Sequence, residues 1–196
     1  MKELVSTSWL NQNLSNPNLI ILDASIPKNA AGKAFESSND IIPGARRFDL
    51  KNVFLDTTSP FPNTVPNPED FQYQCQKLGI NEDSEIVVYD NAGIYTSPRA
   101  WWLFKIMGHN NISVLNGGLP DWIANGYSTV KDYNTAFEHG NFKANYKQKA
   151  VISFEHIKRN CRTKDFVTVD ARSSGRFNGT EKEPRANYKV AISLTP

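Results

Sequence analysis

One stretch of this chain is written twice. Residues 4–25, LVSTSWLNQNLSNPNLIILDAS, align without a gap on residues 151–172, VISFEHIKRNCRTKDFVTVDAR, at an offset of 147. Ser6 falls on Ser153, Asn13 on Asn160, Asp23 on Asp170 and Ala24 on Ala171. Leu10, Leu19 and Leu22 fall on the apolar Ile157, Phe166 and Val169. Self-similarity of this kind constrains architecture before any local signal does. It predicts two copies of one unit, the second opening near residue 150. Whatever the first copy carries after about residue 50 has no counterpart before Pro196.

Local signals give that unit its class. Ser6 is placed to cap a short helix reaching Leu14, and Asn16-Pro17-Asn18 turns the chain. LIILDAS is an apolar run suited to a strand buried on both faces. Residues 26–66, rich in Pro, Asn and Ser, read as a long irregular excursion that holds the IPGA turn at Ile42–Ala45. Asn67 caps a helix with Pro68 at its first position, and that helix closes at Gly79. EIVVYD, residues 85–90, is the clearest strand. The loop NAGIYT then leads into a helix with Ser97 as cap and Pro98 behind it, stopping at Gly108. ISVL, 112–115, is a further strand, and Gly117-Gly118 turns into a short helix closed by Gly126. Strands alternating with helices imply a parallel sheet with helices on both faces. Residues 127–150 are polar and aperiodic, as a linker would be. The second copy predicts a helix over about 153–162 and a strand over about 166–170. An unpaired apolar edge there would invite self-association.

Composition narrows the function classes. With 39% hydrophobic residues the chain can build a core, and no apolar run approaches the ~18 residues a membrane span needs. The start, MKELVSTSWL, has no secretory or transit signature, so a cytoplasmic location of bacterial type and no membrane partner are expected. Charge is uneven: residues 1–140 hold 10 Lys/Arg against 15 Asp/Glu, and residues 141–196 hold 12 against 5. A basic second half suits either an anionic small substrate or a solvated surface. No basic groove with interleaved aromatics is visible, so no nucleic-acid partner is expected. Cys75 follows Phe71 at helical spacing, and Cys161 aligns with the apolar Leu14, so both read as buried structural thiols. His109, His139 and His156 are scattered, and neither metal nor cofactor is expected. His109 ends a helix, where a cation suits the dipole, and His156 aligns with Trp9 at a packing position.

In a parallel sheet, ligands bind beyond the carboxyl ends of strands. The strongest candidate is therefore the passage YD-NAGIYT-SPRAWW, in which a loop entering a helix points several backbone N–H groups at one spot. A nucleophile at the strand's end would have its anion stabilised there. The residue in that slot is Asp90, which is no useful nucleophile and repels an incoming anion.

The segment IVVYDNAGIYTSPRAWWLFKIMGHNNISVLNGGLPDWIANGY resembles the rhodanese domain. Together with LVSTSWL, ILDAS, IPGA and DARSSGRFNGTEKEPR, it makes the whole chain similar to the two-domain thiosulfate/3-mercaptopyruvate sulfurtransferases. The resemblance implies a complete rhodanese-like domain over 4–130, a linker over 131–150 and the opening part of a second such domain over 151–196. It implies that the first domain is catalytically silent, because Asp90 stands where an active rhodanese domain has its cysteine. That cysteine takes a sulfane sulfur as a persulfide and passes it to a thiol or cyanide. Carried forward by the repeat offset, its counterpart falls near position 237, beyond Pro196, so no turnover is expected of this chain alone. The family's GRF and EPR segments hold the substrate carboxylate, which assigns that role to Arg176 and Arg185. A guanidinium fork matches such a group in two hydrogen bonds. Two departures are visible: Ile41 replaces the family's usual His before IPGA, and ANYKVAISLTP follows EPR in place of a second such turn. A small anionic sulfur donor and a thiol acceptor are the implied partners. The alternative reading is a non-catalytic binding or docking module.

Overall fold

The computed structural model describes residues 2–29, 32–35 and 39–182. The chain divides into two units, one of Met1–Pro27 and Ala34–Gln148, the other of Lys28–Lys33 and Lys149–Pro196.

The first unit is built on a five-stranded parallel sheet. Its strands are β1 (Leu4–Val5), β2 (Leu19–Asp23), β3 (Arg46–Arg47), β4 (Glu85–Tyr89) and β5 (Ile112–Leu115), in the order β1-β5-β4-β2-β3. β2 and β4 pair along their whole length, Leu19 on Glu85 through Asp23 on Tyr89. The two longest strands and β5 read as continuous apolar runs because helices cover both faces. Ile86, Val87, Val88 and Tyr89 are all fully buried. The two-residue strands β1 and β3 have too little pattern to be seen in sequence, and β3 lies just after the IPGA turn that interrupts the irregular stretch.

Helices α1 (Thr7–Asn13), α2 (Pro68–Lys77) and α3 (Ser97–Ile106) connect the strands, and α4 (Gly118–Ala124) follows β5. Ser6 and Asn67 cap α1 and α2 through their side chains, as their positions predict. The cap of α3 is Thr96 rather than Ser97, and the Thr96 hydroxyl makes no capping bond. Ser97 is the first helical residue because its hydroxyl is engaged elsewhere, on Asp90. One side of the sheet carries a cluster of aromatic rings from Phe48, Phe54, Phe71, Phe104 and Phe142, with Phe71 5.1 Å from Phe104 and 5.7 Å from Phe142.

Phe142 belongs to the segment expected to be a linker. Residues 134–147 instead run as a strap along the first unit. The amides of Asn134, Gly140, Phe142, Asn145 and Lys147 donate to the carbonyls of Ala45, Gln76, Ile80, Met107 and Ile106. The strap is polar and aperiodic because these backbone bonds and one buried ring hold it, not an amphipathic face. His109 closes the same region. It is buried, and its Nε2 lies 3.0 Å from the Ser84 carbonyl, to which it donates. Burial lowers its pKa from the ordinary value, so it is a neutral core residue and not the helix-terminal cation expected.

The second unit holds α5 (Phe154–Thr163), capped by Ser153, and the short α6 (Ser174–Phe177), capped by Ser173. The expected strand over 166–170 is absent. β2 holds its shape through ladders on both sides, and no strand of the second unit is present among the described residues. Val167 and Val169 are 87% and 81% exposed. His156, expected at a packing position, is exposed, with its ring against the Phe166 ring at 5.7 Å between centroids. No helix among the described residues is long and apolar enough to cross a membrane.

Two outcomes follow from this packing. Phe142→Ala removes the ring that anchors the strap and destabilises the first unit by about 3–5 kcal/mol, read from the shift of the urea midpoint. His109 is held neutral in the native state while the unfolded chain protonates near pH ~6.5. Its contribution is therefore complete above that pH and is lost as pH falls. Urea midpoints measured from pH 7.5 down to 5.5 should fall less steeply in His109→Gln than in the parent chain.

Candidate functional site: a loop closed on its own carboxylate

At the carboxyl end of β4 the chain leaves the sheet at Asp90 and re-enters helix at Ser97. Asp90 is fully buried. Its Oδ1 accepts from the Ala92 amide at 2.9 Å, and its Oδ2 accepts from the amides of Tyr95, Thr96 and Ser97 at 2.8, 2.9 and 2.8 Å. The Ser97 hydroxyl adds a fifth bond, 2.7 Å to Oδ2. The loop thus makes the nest of amides expected from its position, and the anion inside is the chain's own side chain. Burial alone would raise the carboxyl's pKa. The Ser97 hydroxyl and amide, then the Tyr95 and Ala92 amides, outweigh it and hold the group below the usual carboxylate range. Donors at a helix N-terminus favour a negative charge for the same reason.

Neighbouring elements are shaped around this loop. The Thr96 hydroxyl donates to the Ala24 carbonyl at 2.8 Å, tying the loop to the end of β2. The Gly117-Gly118 turn brings the start of α4 onto Asp90, whose carbonyl accepts from the Leu119 amide at 3.0 Å. Gly118 has φ of +55°, and a Cβ there would stand 2.5 Å from the carbonyl oxygens of both Asp90 and Gly93. Side-chain and main-chain oxygens of Asp90 are therefore each met by the first turn of a helix.

Beside it lies a second buried carboxylate that sequence reasoning aligned across the repeat without assigning it a role. Asp23, at the end of β2, is 3% exposed. Its Oδ2 accepts from the hydroxyls of Tyr133 at 2.9 Å and Tyr89 at 3.2 Å, and its Oδ1 lies 3.7 Å from the Arg47 guanidinium. Burial, then the Asp23 charge, pushes the Tyr133 hydroxyl up to about 12 and the Tyr89 hydroxyl higher still. Both phenols stay protonated donors at any physiological pH. The signal was present, since Asp23 matches Asp170, but Tyr133 lies in the segment taken for a linker. In the second unit Asp170 makes the same turn: its Oδ1 accepts from the Arg172 amide at 2.9 Å, as Asp23 Oδ1 accepts from Ser25 at 2.8 Å. The Arg172 guanidinium also reaches it, with Nη2 2.5 Å from Oδ2.

The expected substrate arginines are placed in part. Arg176 lies in α6, half buried, and its charge acts on Asp170 together with that of Arg172. Arg185 lies outside the described residues. Asp90 belongs to the first unit and Arg176 to the second. Neither cysteine has an amide nest. Cys75 is buried in α2, and burial pushes its thiol pKa well up, as a core thiol requires. Cys161 is exposed, against the expectation of a buried position, because α5 packs no second layer over that face among the described residues. It sits in the last turn of α5, where carbonyls and not amides are unpaired.

A parallel α/β sheet with an amide-lined strand-to-helix loop at its carboxyl edge places the chain in a recognisable class of α/β domain. The chain belongs to the rhodanese-like domain family, whose pattern matches residues 6–125. It is 36% identical over 190 residues to the thiosulfate sulfurtransferase of Cricetulus griseus, covering 93% of this chain and 63% of that protein. It is 36% identical over 194 residues to the human 3-mercaptopyruvate sulfurtransferase, covering 94% and 64%. The crystal structure of SseA from Escherichia coli, a 3-mercaptopyruvate sulfotransferase with the "rhodanese" fold, superposes with a TM-score of 0.81 at 28% identity. That match covers 95% of this chain and 72% of SseA. The chain thus spans somewhat under two thirds of the length of these two sulfurtransferases.

If the Asp90 carboxylate organises the loop, Asp90→Asn should destabilise the first unit by about 2–4 kcal/mol, since it trades a charged acceptor of five bonds for a neutral amide facing donors. The denaturation midpoint checks this. A change within ~0.5 kcal/mol would show that the loop holds its shape without the charge.

Proposed function

We propose that this chain serves sulfur transfer from thiosulfate or 3-mercaptopyruvate to a thiol or cyanide acceptor, and that its first unit is a non-catalytic member of the rhodanese-like family. The observation that carries this reading is the occupied loop. Five donors that would stabilise a thiolate or a sulfur oxyanion are already bound to Asp90. A carboxylate so engaged is a poor nucleophile, and its charge excludes a second anion. The two cysteines of the sequence offer no replacement, one buried in a helix and one at a helix C-terminus. The persulfide-forming cysteine is therefore proposed to lie outside these 196 residues. Arg176 and Arg185, in the basic stretch that follows the first unit, are the groups we assign to the donor's anionic end. The same closed loop equally suits a docking role for the first unit, in which its fold is used and its chemistry is not.

The test is thiocyanate formation from cyanide with thiosulfate, and separately with 3-mercaptopyruvate, as donor. These 196 residues alone should give no release above the blank, with Cys75→Ser and Cys161→Ser indistinguishable from the parent. Release that disappears in Cys161→Ser would overturn the assignment of a silent chain.

A further inference from the structure

The first unit carries a cavity at the opposite end of its sheet from Asp90. Asn18 immediately precedes β2, Ser84 immediately precedes β4, and Arg46 opens β3. With Asn81, Phe137 and His139, these residues line a space of about 230 Å³. Ligands of parallel sheets ordinarily sit at the carboxyl ends of the strands, so this cavity is separate from the family's site.

Its one half-buried charge is Arg46. The guanidinium donates through Nη1 to the Leu78 carbonyl and lies over the Phe137 ring, 4.3 Å from its centroid. Its Nε is buried with no hydrogen-bond partner, and among the described residues no carboxylate comes within ion-pair distance of it. A charge taken out of water is ordinarily paired, and burial lowers the pKa of this one. The guanidinium is held close to the backbone at Gly79, where a Cβ would stand 2.8 Å from both Nη1 and the Glu138 carbonyl oxygen. A cation held in this way needs little ordering to bind.

The other polar groups can donate. The Ser84 oxygen accepts from the Asn81 amide, which leaves the hydroxyl hydrogen for a ligand. Asn81 Oδ1 accepts from the Asn141 amide, so its NH2 group remains. Glu138 also lines the cavity, but it is exposed, where solvent and salt screen its charge, whereas Arg46 is half-buried.

We propose that this cavity binds a small tetrahedral oxyanion, of phosphate or sulfate size, with Arg46 as its cation and Ser84 and Asn81 as hydrogen-bond donors. The probe is inorganic phosphate, compared with chloride at equal ionic strength in thermal unfolding of the 196-residue chain. At tenfold its dissociation constant, phosphate should raise Tm by about 3–5 °C. Arg46→Gln should lose that rise, and Arg46→Lys should keep part of it. An equal rise in Arg46→Gln would overturn the proposal by placing the anion on other arginines, and no rise in the parent would overturn it directly. Crystals of the parent soaked in selenate give a readout that needs no variant to fold. A selenate whose oxygens lie within hydrogen-bond distance of the Arg46 guanidinium supports the site, and its absence refutes it.

Discussion

The arrangement of the first unit turns on one buried negative charge. Asp90 ends the central strand at the point where a parallel sheet exposes its ligand-binding edge, and the loop that follows turns back to donate four amides and a hydroxyl to that carboxylate. A buried carboxylate is tolerable only when such donors replace its water, and a loop with convergent amides needs an anion to keep them together. Each solves the other's difficulty. The consequence is local: the donors that converge at this point are already taken by the chain's own side chain.

The same economy explains why the strap matters. Parallel sheets need both faces covered, and the helices of the first unit leave the region around Phe71, Phe104 and His109 open at one end. Phe142 fills it, while the strap's amides satisfy carbonyls at Gln76, Ile80, Ile106 and Met107. Tyr133, from the start of the same segment, places its hydroxyl on Asp23. A stretch with no secondary-structure period therefore contributes to the core and to the polar edge of the sheet.

Legibility in the sequence followed periodicity and capping chemistry. β2, β4 and β5 were evident as short apolar runs, and Ser6 and Asn67 as caps, because those signals are local. The position of Asp90 followed from the strand-to-helix passage alone, while the five bonds it receives depend on loop dihedrals that no pattern encodes. What failed was nonlocal. Two-residue strands carry no period, the strap is held by main-chain bonds, and the burial of His109 depends on Ser84 and Phe142 from distant segments. Cys161 was misplaced for a related reason: alignment on Leu14 carries over a helix position but not the layer packed against it.

The repeat shows how far local instructions go by themselves. Ser6 and Ser153 cap their helices through the same bond to the residue three ahead. Asp23 and Asp170 make the same turn onto the amide two ahead. Between those matching ends, Leu19–Asp23 is a strand and residues 166–170 are not. The difference lies in the neighbours. β2 exchanges ladders with β3 and β4, whose residues come from later in the chain, whereas the second copy has no such strands among the described residues. A cap or an Asx turn needs a few residues and forms wherever they occur. A parallel strand needs its partners, so the repeated sequence specifies the turn outright and the sheet only conditionally.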